Sequence, residues 1–129
     1  MSRNFERGLL QAVIAILCLS PLGFGLLGMV RGTEAFGGPS VAGVDSHFRY
    51  LSGIFFGIGI MAVSCIPRIE RQTARFAWVV LFVVIGGLAR LLGFFVEDAP
   101  HGAHYYAVFV ELVITPLMGL WQRRVARRF

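Results

Sequence analysis

Four apolar runs alternate with short polar connections along the chain, at residues 9–30, about 48–66, 76–95 and about 105–121. Each approaches the roughly 20 residues needed to cross a hydrocarbon core about 30 Å thick. In lipid the backbone must satisfy its own hydrogen bonds, so the pattern predicts four transmembrane helices. Pro21 falls inside the first and Pro116 inside the fourth. Each predicts a kink, because proline withholds one intrahelical donor. The connection over 31–45 is glycine-rich and sparsely charged. It fits either a flexible loop or a partly re-entrant path lying back on the outer ends of the helices. With 129 residues there is room for one domain. The expected architecture is therefore all-α: a single four-transmembrane-helix bundle over residues 1–129.

Composition sharpens this picture. Hydrophobic residues make up 57% of the chain and charged residues 15%, with a mean hydropathy of +0.74. Soluble domains run closer to 45–50% apolar. The run at 9–30, preceded by Arg3 and Arg7, resembles a signal peptide only superficially. It is longer than a usual signal core and no small-residue cleavage site follows, so a retained first helix is expected. Cys18 and Cys65 both lie inside apolar runs and read as small buried hydrophobes.

Charge then sets orientation. All twelve basic residues are arginine. Arg3 and Arg7 precede the first run, Arg68, Arg71 and Arg75 separate the second from the third, and Arg123, Arg124, Arg127 and Arg128 follow the fourth. The two remaining connections carry only Arg31 and Arg49 among the arginines. Under the positive-inside rule this asymmetry places both termini in the cytoplasm. A pI near 10.2 would also suit nucleic acid. The arginines, however, sit in short segments beside apolar spans, where they match anionic headgroups instead, and no basic face of a soluble fold is left to carry a nucleic acid.

Inside the apolar runs, Arg90 is the residue that needs an explanation. A charge near mid-membrane costs about 2.5–3.5 kcal/mol on insertion scales and normally has a partner or a purpose. Arg90 lies about 7.5 Å below the outer end of the third span, and Glu111 lies at a similar depth in the fourth. Cα–Cβ bonds lean toward a helix's own N-terminus. In antiparallel neighbours the two side chains therefore converge. Arg49 opens the second span, with Asp45 one turn before it. Gly53 and Gly57 continue the Arg49 face, Gly86 and Gly93 flank Arg90, and Ala107 and Thr115 flank Glu111. Small residues permit close helix approach, so these three charges are expected to face inward.

Two readings of Asp45, Arg49, Arg90 and Glu111 stand side by side. One is a structural ion network that fixes helix register, which need not add net stability. The other is an outward-facing pocket in which Arg49 and Arg90 meet an anionic or carbonyl-bearing headgroup. Two arginines against one embedded acid leave surplus positive charge unless Asp45 or Glu34 folds in. His101 and His104, beside Glu97 and Asp98, could offer metal ligands, but no third fixed ligand is evident and no metal site is expected. Tyr105, Tyr106 and Trp121 sit at span ends, as interfacial aromatics do. No nucleophile–base set, phosphate loop or cofactor fingerprint appears, and no cofactor is expected.

Three elements carry a resemblance: Asp45-x-His-Phe-Arg49-Tyr-Leu-Ser-Gly53, Gly86-Gly-Leu-Ala-Arg90-Leu-Leu-Gly93 and Glu111-Leu-Val-Ile-Thr-Pro116. In this order and spacing they resemble the domain of unknown function 4345 family of small bacterial four-helix membrane proteins, over nearly the whole chain. The resemblance implies that Asp45, Arg49, Arg90 and Glu111 are that family's polar positions, and it implies no activity.

The expected role is non-enzymatic: binding a lipid or quinone-like headgroup, or serving as an accessory subunit of a larger membrane complex. The glycine faces are also compatible with a homodimer. A small membrane enzyme or proton-coupled transporter, using Glu111 and Arg90, is the second class. A lone acid without a second base at that depth argues against it, as does a cytoplasmic half with only Gln11, Ser20 and Ser64 as polar residues.

Overall fold

The computed structural model describes residues 1–96 and 102–129. Among these the secondary structure is entirely helical. Helix α1 spans Arg3–Arg31 and is continued by a 3-10 turn over Gly32–Phe36. Helix α2 spans Ala42–Cys65, followed by a 3-10 segment over Ile66–Arg71 with a break at Arg68. Helix α3 spans Thr73–Val96. Helix α4 spans Gly102–Ala126 and is interrupted by one π-helical turn over Val110–Ile114.

All four helices are long and apolar enough to cross a membrane. Burial explains what their surfaces face. In the most apolar window of each helix, 22, 17, 11 and 0% of residues are buried. Side chains such as Ile16, Leu19, Leu92 and Phe95 are more than half exposed. An apolar surface this continuous is stable against hydrocarbon rather than water, which supports a multi-pass membrane protein.

The chain divides into two compact units. The first joins Met1–Gln11 to Pro67–Phe129, and so holds the start of α1 with α3 and α4. Here α3 and α4 lie close because glycines remove side-chain bulk. A Cβ on Gly87 would come within 2.7 Å of Glu111 Cβ, and one on Gly119 within 3.2 Å of Val80. At the end holding the α3 N-terminus, Gln122 is fully buried and donates to Ile69 O at 2.8 Å and Thr73 Oγ1 at 3.0 Å. Glu6, 2% exposed, accepts from Arg124 at 3.1 Å and also pairs with Arg128. Arg7 lies 3.6 Å from Glu70, and the guanidinium groups of Arg3 and Arg7 cover the ring of Phe129.

The second unit, Ala12–Ile66, packs the rest of α1 against α2. Gly25 faces the Phe56 backbone, Gly28 faces Ser52, and Gly59 faces Leu22 and Pro21. Helix α1 continues through Pro21, whose ring is covered by α2 at Gly59. The close contacts thus fall on Gly25, Gly28 and Gly59. Of the two glycines predicted to mark the α2 seam, Gly53 has room for a Cβ, which would lie 3.8 Å from Met29, and Gly57 faces open space.

Candidate functional site

Asp45, Arg49, Arg90 and Glu111 each acquire a partner, and each pair falls within one unit. In the second unit Asp45 and Arg49 lie one turn apart in α2, with Arg49 Nε donating to Asp45 Oδ2 at 2.7 Å. Arg49 Nη1 also donates to Met29 O and Val30 O, at 2.9 and 2.8 Å. These carbonyls end α1, where the last helical C=O groups have no intrahelical donor. Asp45 Oδ1 accepts from the Thr33 backbone N–H at 2.9 Å and from Thr33 Oγ1 at 3.2 Å.

The pair is thus a clamp on the turn that follows α1. Gly32 makes the clamp feasible: its φ is +64°, and a Cβ there would overlap Asp45 Oδ1. Residues 32–36 are the helical part of the connection over 31–45. They form a 3-10 turn tied to the first turns of α2, and Phe36 packs between Phe24 and Phe48.

In the first unit Arg90 and Glu111 meet as the direction of their Cβ atoms predicts. Arg90 Nε and Nη2 donate to the two carboxylate oxygens at 3.0 and 3.1 Å, a bidentate geometry. Arg90 Nη1 lies 3.0 Å from His104 Nδ1, which accepts when the ring proton is on Nε2. The Arg90 side chain is 36% exposed and that of Glu111 13%.

The local backbone explains how Glu111 is aimed. Pro116 cannot donate within the helix, and the preceding turn widens to a π-turn over Val110–Ile114. Thr115 closes that turn, donating through both its backbone N–H and its Oγ1 (2.9 Å) to Val110 O. The predicted effect of Pro116 therefore takes the form of a π-turn that begins beside Glu111. Such turns are frequent at functional sites.

The small residues that admit this pair differ from those expected. Gly87, buried against Glu111 and Leu112, is the contact glycine, whereas Gly86 and Gly93 face open space. A step of one residue rotates a helical position by about 100°, and the long Arg90 side chain reaches sideways to its partner. Asp45 folds in as the second acid, so Arg49 and Arg90 each have one carboxylate. Sequence reasoning overlooked His104 as a third member of the cluster. It lies seven residues before Glu111, two helical turns, which is the signal that could have found it. The metal-ligand set suggested with Glu97, Asp98 and His101 lies outside the described residues.

No curated protein and no solved structure matches the chain. The sequence model of one family, described as a domain of unknown function (DUF4345), matches residues 9–122, most of the chain. The chain belongs to the DUF4345 family.

Proposed function

We propose that the protein is a non-enzymatic component of a bacterial inner membrane, with both termini in the cytoplasm. Arg90, Glu111 and His104 form its site for the carbonyl-bearing headgroup of a lipid or quinone-like molecule. The arginine asymmetry between alternate connections supports the orientation.

One observation carries the site: Arg90 is charge-balanced but part-exposed. A guanidinium has five N–H donors. Two meet Glu111 and one meets His104, which leaves one on each terminal nitrogen. Donors on a neutral, preorganised pair suit a carbonyl acceptor better than an anion, because an anion would face the Glu111 carboxylate. In this reading Asp45 and Arg49 act as the clamp on residues 32–36 and contribute structure. The headgroup is held by the protein alone or as an accessory subunit of a larger membrane complex.

The test is retention of a short-chain benzoquinone and of phosphatidylcholine by protein released from bilayers into native mass spectrometry. Wild type is expected to retain one such molecule. Arg90→Leu/Glu111→Leu should lose it while keeping its helicity, and equal retention by the double variant would refute the site.

A second reading, proton-coupled chemistry at Glu111, is favoured by one observation: His104 places a second titratable group against Arg90. It predicts proton flux into vesicles holding a pH-sensitive dye, abolished by Glu111→Gln.

A further inference from the structure

The four arginines that close α4 divide by face. Arg124 and Arg128 are committed to Glu6. Arg123 and Arg127, one turn apart on another face, are exposed and make no ion pair among the described residues. Arg123 opens onto a groove of about 270 Å³ between α3 and α4, walled along its length by Phe76, Val80, Pro116 and Leu120. Arg123 and Arg127 together line the continuation of that groove beyond Thr73, a space of about 390 Å³.

The walls are fixed. Gly119 brings α4 within contact of Val80, and buried Gln122 ties α4 to Ile69 and Thr73. The groove therefore runs from an apolar cleft between two helices to two uncommitted guanidinium groups at the first turn of α3. The helix N-terminus there adds partial positive charge.

We infer that this groove binds one anionic phospholipid, with an acyl chain along Phe76 and Val80 and its phosphate on Arg123 and Arg127. Charge selects this occupant. Apolar contacts alone cannot discriminate between lipids, because every acyl chain offers them, whereas basic pockets at the ends of membrane helices select acidic headgroups. The site is independent of the Arg90 cluster. Thr73 and Arg90 lie at opposite ends of α3, about 25 Å apart along its axis.

The experiment reconstitutes the full chain in bilayers of equal dioleoylphosphatidylglycerol and dioleoylphosphatidylcholine, and reads bound lipid by native mass spectrometry. Wild type should retain phosphatidylglycerol in preference to phosphatidylcholine. Arg123→Gln/Arg127→Gln should reduce that preference on the order of tenfold. Arg68→Gln/Arg71→Gln, which removes two other exposed arginines of the same unit, should leave it intact.

Ala77→Leu, which fills the groove without altering charge, should displace the lipid altogether. Helicity by circular dichroism confirms that each variant is folded. The inference is overturned if wild type shows no preference, or if the two arginine pairs weaken it equally. It is also overturned if the released species is a lipid-free dimer with the groove as its interface.

Discussion

Replacing Glu111 by leucine leaves Arg90 charged and without its counter-ion in an apolar helix. In the native protein two carboxylate oxygens lie 3.0 and 3.1 Å from Arg90 Nε and Nη2. Removing one partner of a fully buried pair costs about 3–5 kcal/mol. Arg90 is 36% exposed, so its guanidinium can turn partly toward water, and the expected loss falls to about 2 kcal/mol. The reciprocal change, Arg90→Leu, leaves the Glu111 carboxylate, 13% exposed, without two of its donors, and about 1 kcal/mol is expected, the low end of the cost of an unsatisfied acceptor.

The double variant removes both charges and should lie within about 1 kcal/mol of wild type. The coupling energy of the cycle is then about 2–4 kcal/mol. Reversible unfolding in mixed micelles, with helicity followed as the dodecyl sulfate fraction rises, measures all four proteins. Two results would refute the reasoning: Glu111→Leu unfolding at the wild-type midpoint, or a double variant that loses the sum of the two single losses.

Other substitutions test the remaining contacts. Gly87→Ala should destabilise by about 1–3 kcal/mol by forcing α4 away at Glu111 and Leu112, whereas Gly86→Ala and Gly93→Ala, which face open space, should not destabilise in the same unfolding assay. Gly32→Ala should cost at least the roughly 1–3 kcal/mol of a strained left-handed residue, and should release the turn over Gly32–Phe36 as increased amide exchange at Thr33. Glu6 predicts an asymmetry: Arg124→Ala/Arg128→Ala strands a buried carboxylate and should cost about 2–3 kcal/mol, while Glu6→Leu leaves two exposed arginines and should cost about 1 kcal/mol or less. For topology, a periplasm-active reporter fused after Phe129 should be silent, and activity there would reverse the proposed orientation.

The sequence made some of this legible and hid the rest for identifiable reasons. Four helices could be read because apolar runs of membrane length allow no other backbone. Arg90 with Glu111 could be read because two rare charges at one depth, with Cβ atoms leaning toward each other, leave few alternatives. Asp45 with Arg49 was visible as a pair one turn apart, but its role was not. That role depends on the carbonyls of Met29 and Val30 and on the positive φ of Gly32, which come together only when α1 ends where it does.

The glycine seams are hard to read from sequence because each residue turns the helix face by about 100°, so Gly86 and Gly87 look alike in the sequence while Gly87 meets α4 and Gly86 faces open space. Glu6 is not legible from the charge pattern, because arginines beside an apolar span match lipid headgroups equally well. It is the one acid in the N-terminal segment, and two of those arginines serve it.

The proposed site stands on Arg90 offering its remaining donors to a carbonyl. Side-chain ¹⁵N spectra of arginine-labelled protein in bilayer discs, with the Arg90 resonances assigned by their loss in Arg90→Leu, read those donors directly. Titration with a short-chain benzoquinone should shift the terminal nitrogens of Arg90 and leave those of Arg49 in place. Saturable benzoquinone binding with unmoved Arg90 resonances, or Arg90 resonances that respond neither to benzoquinone nor to phosphatidylcholine in the discs, would contradict it.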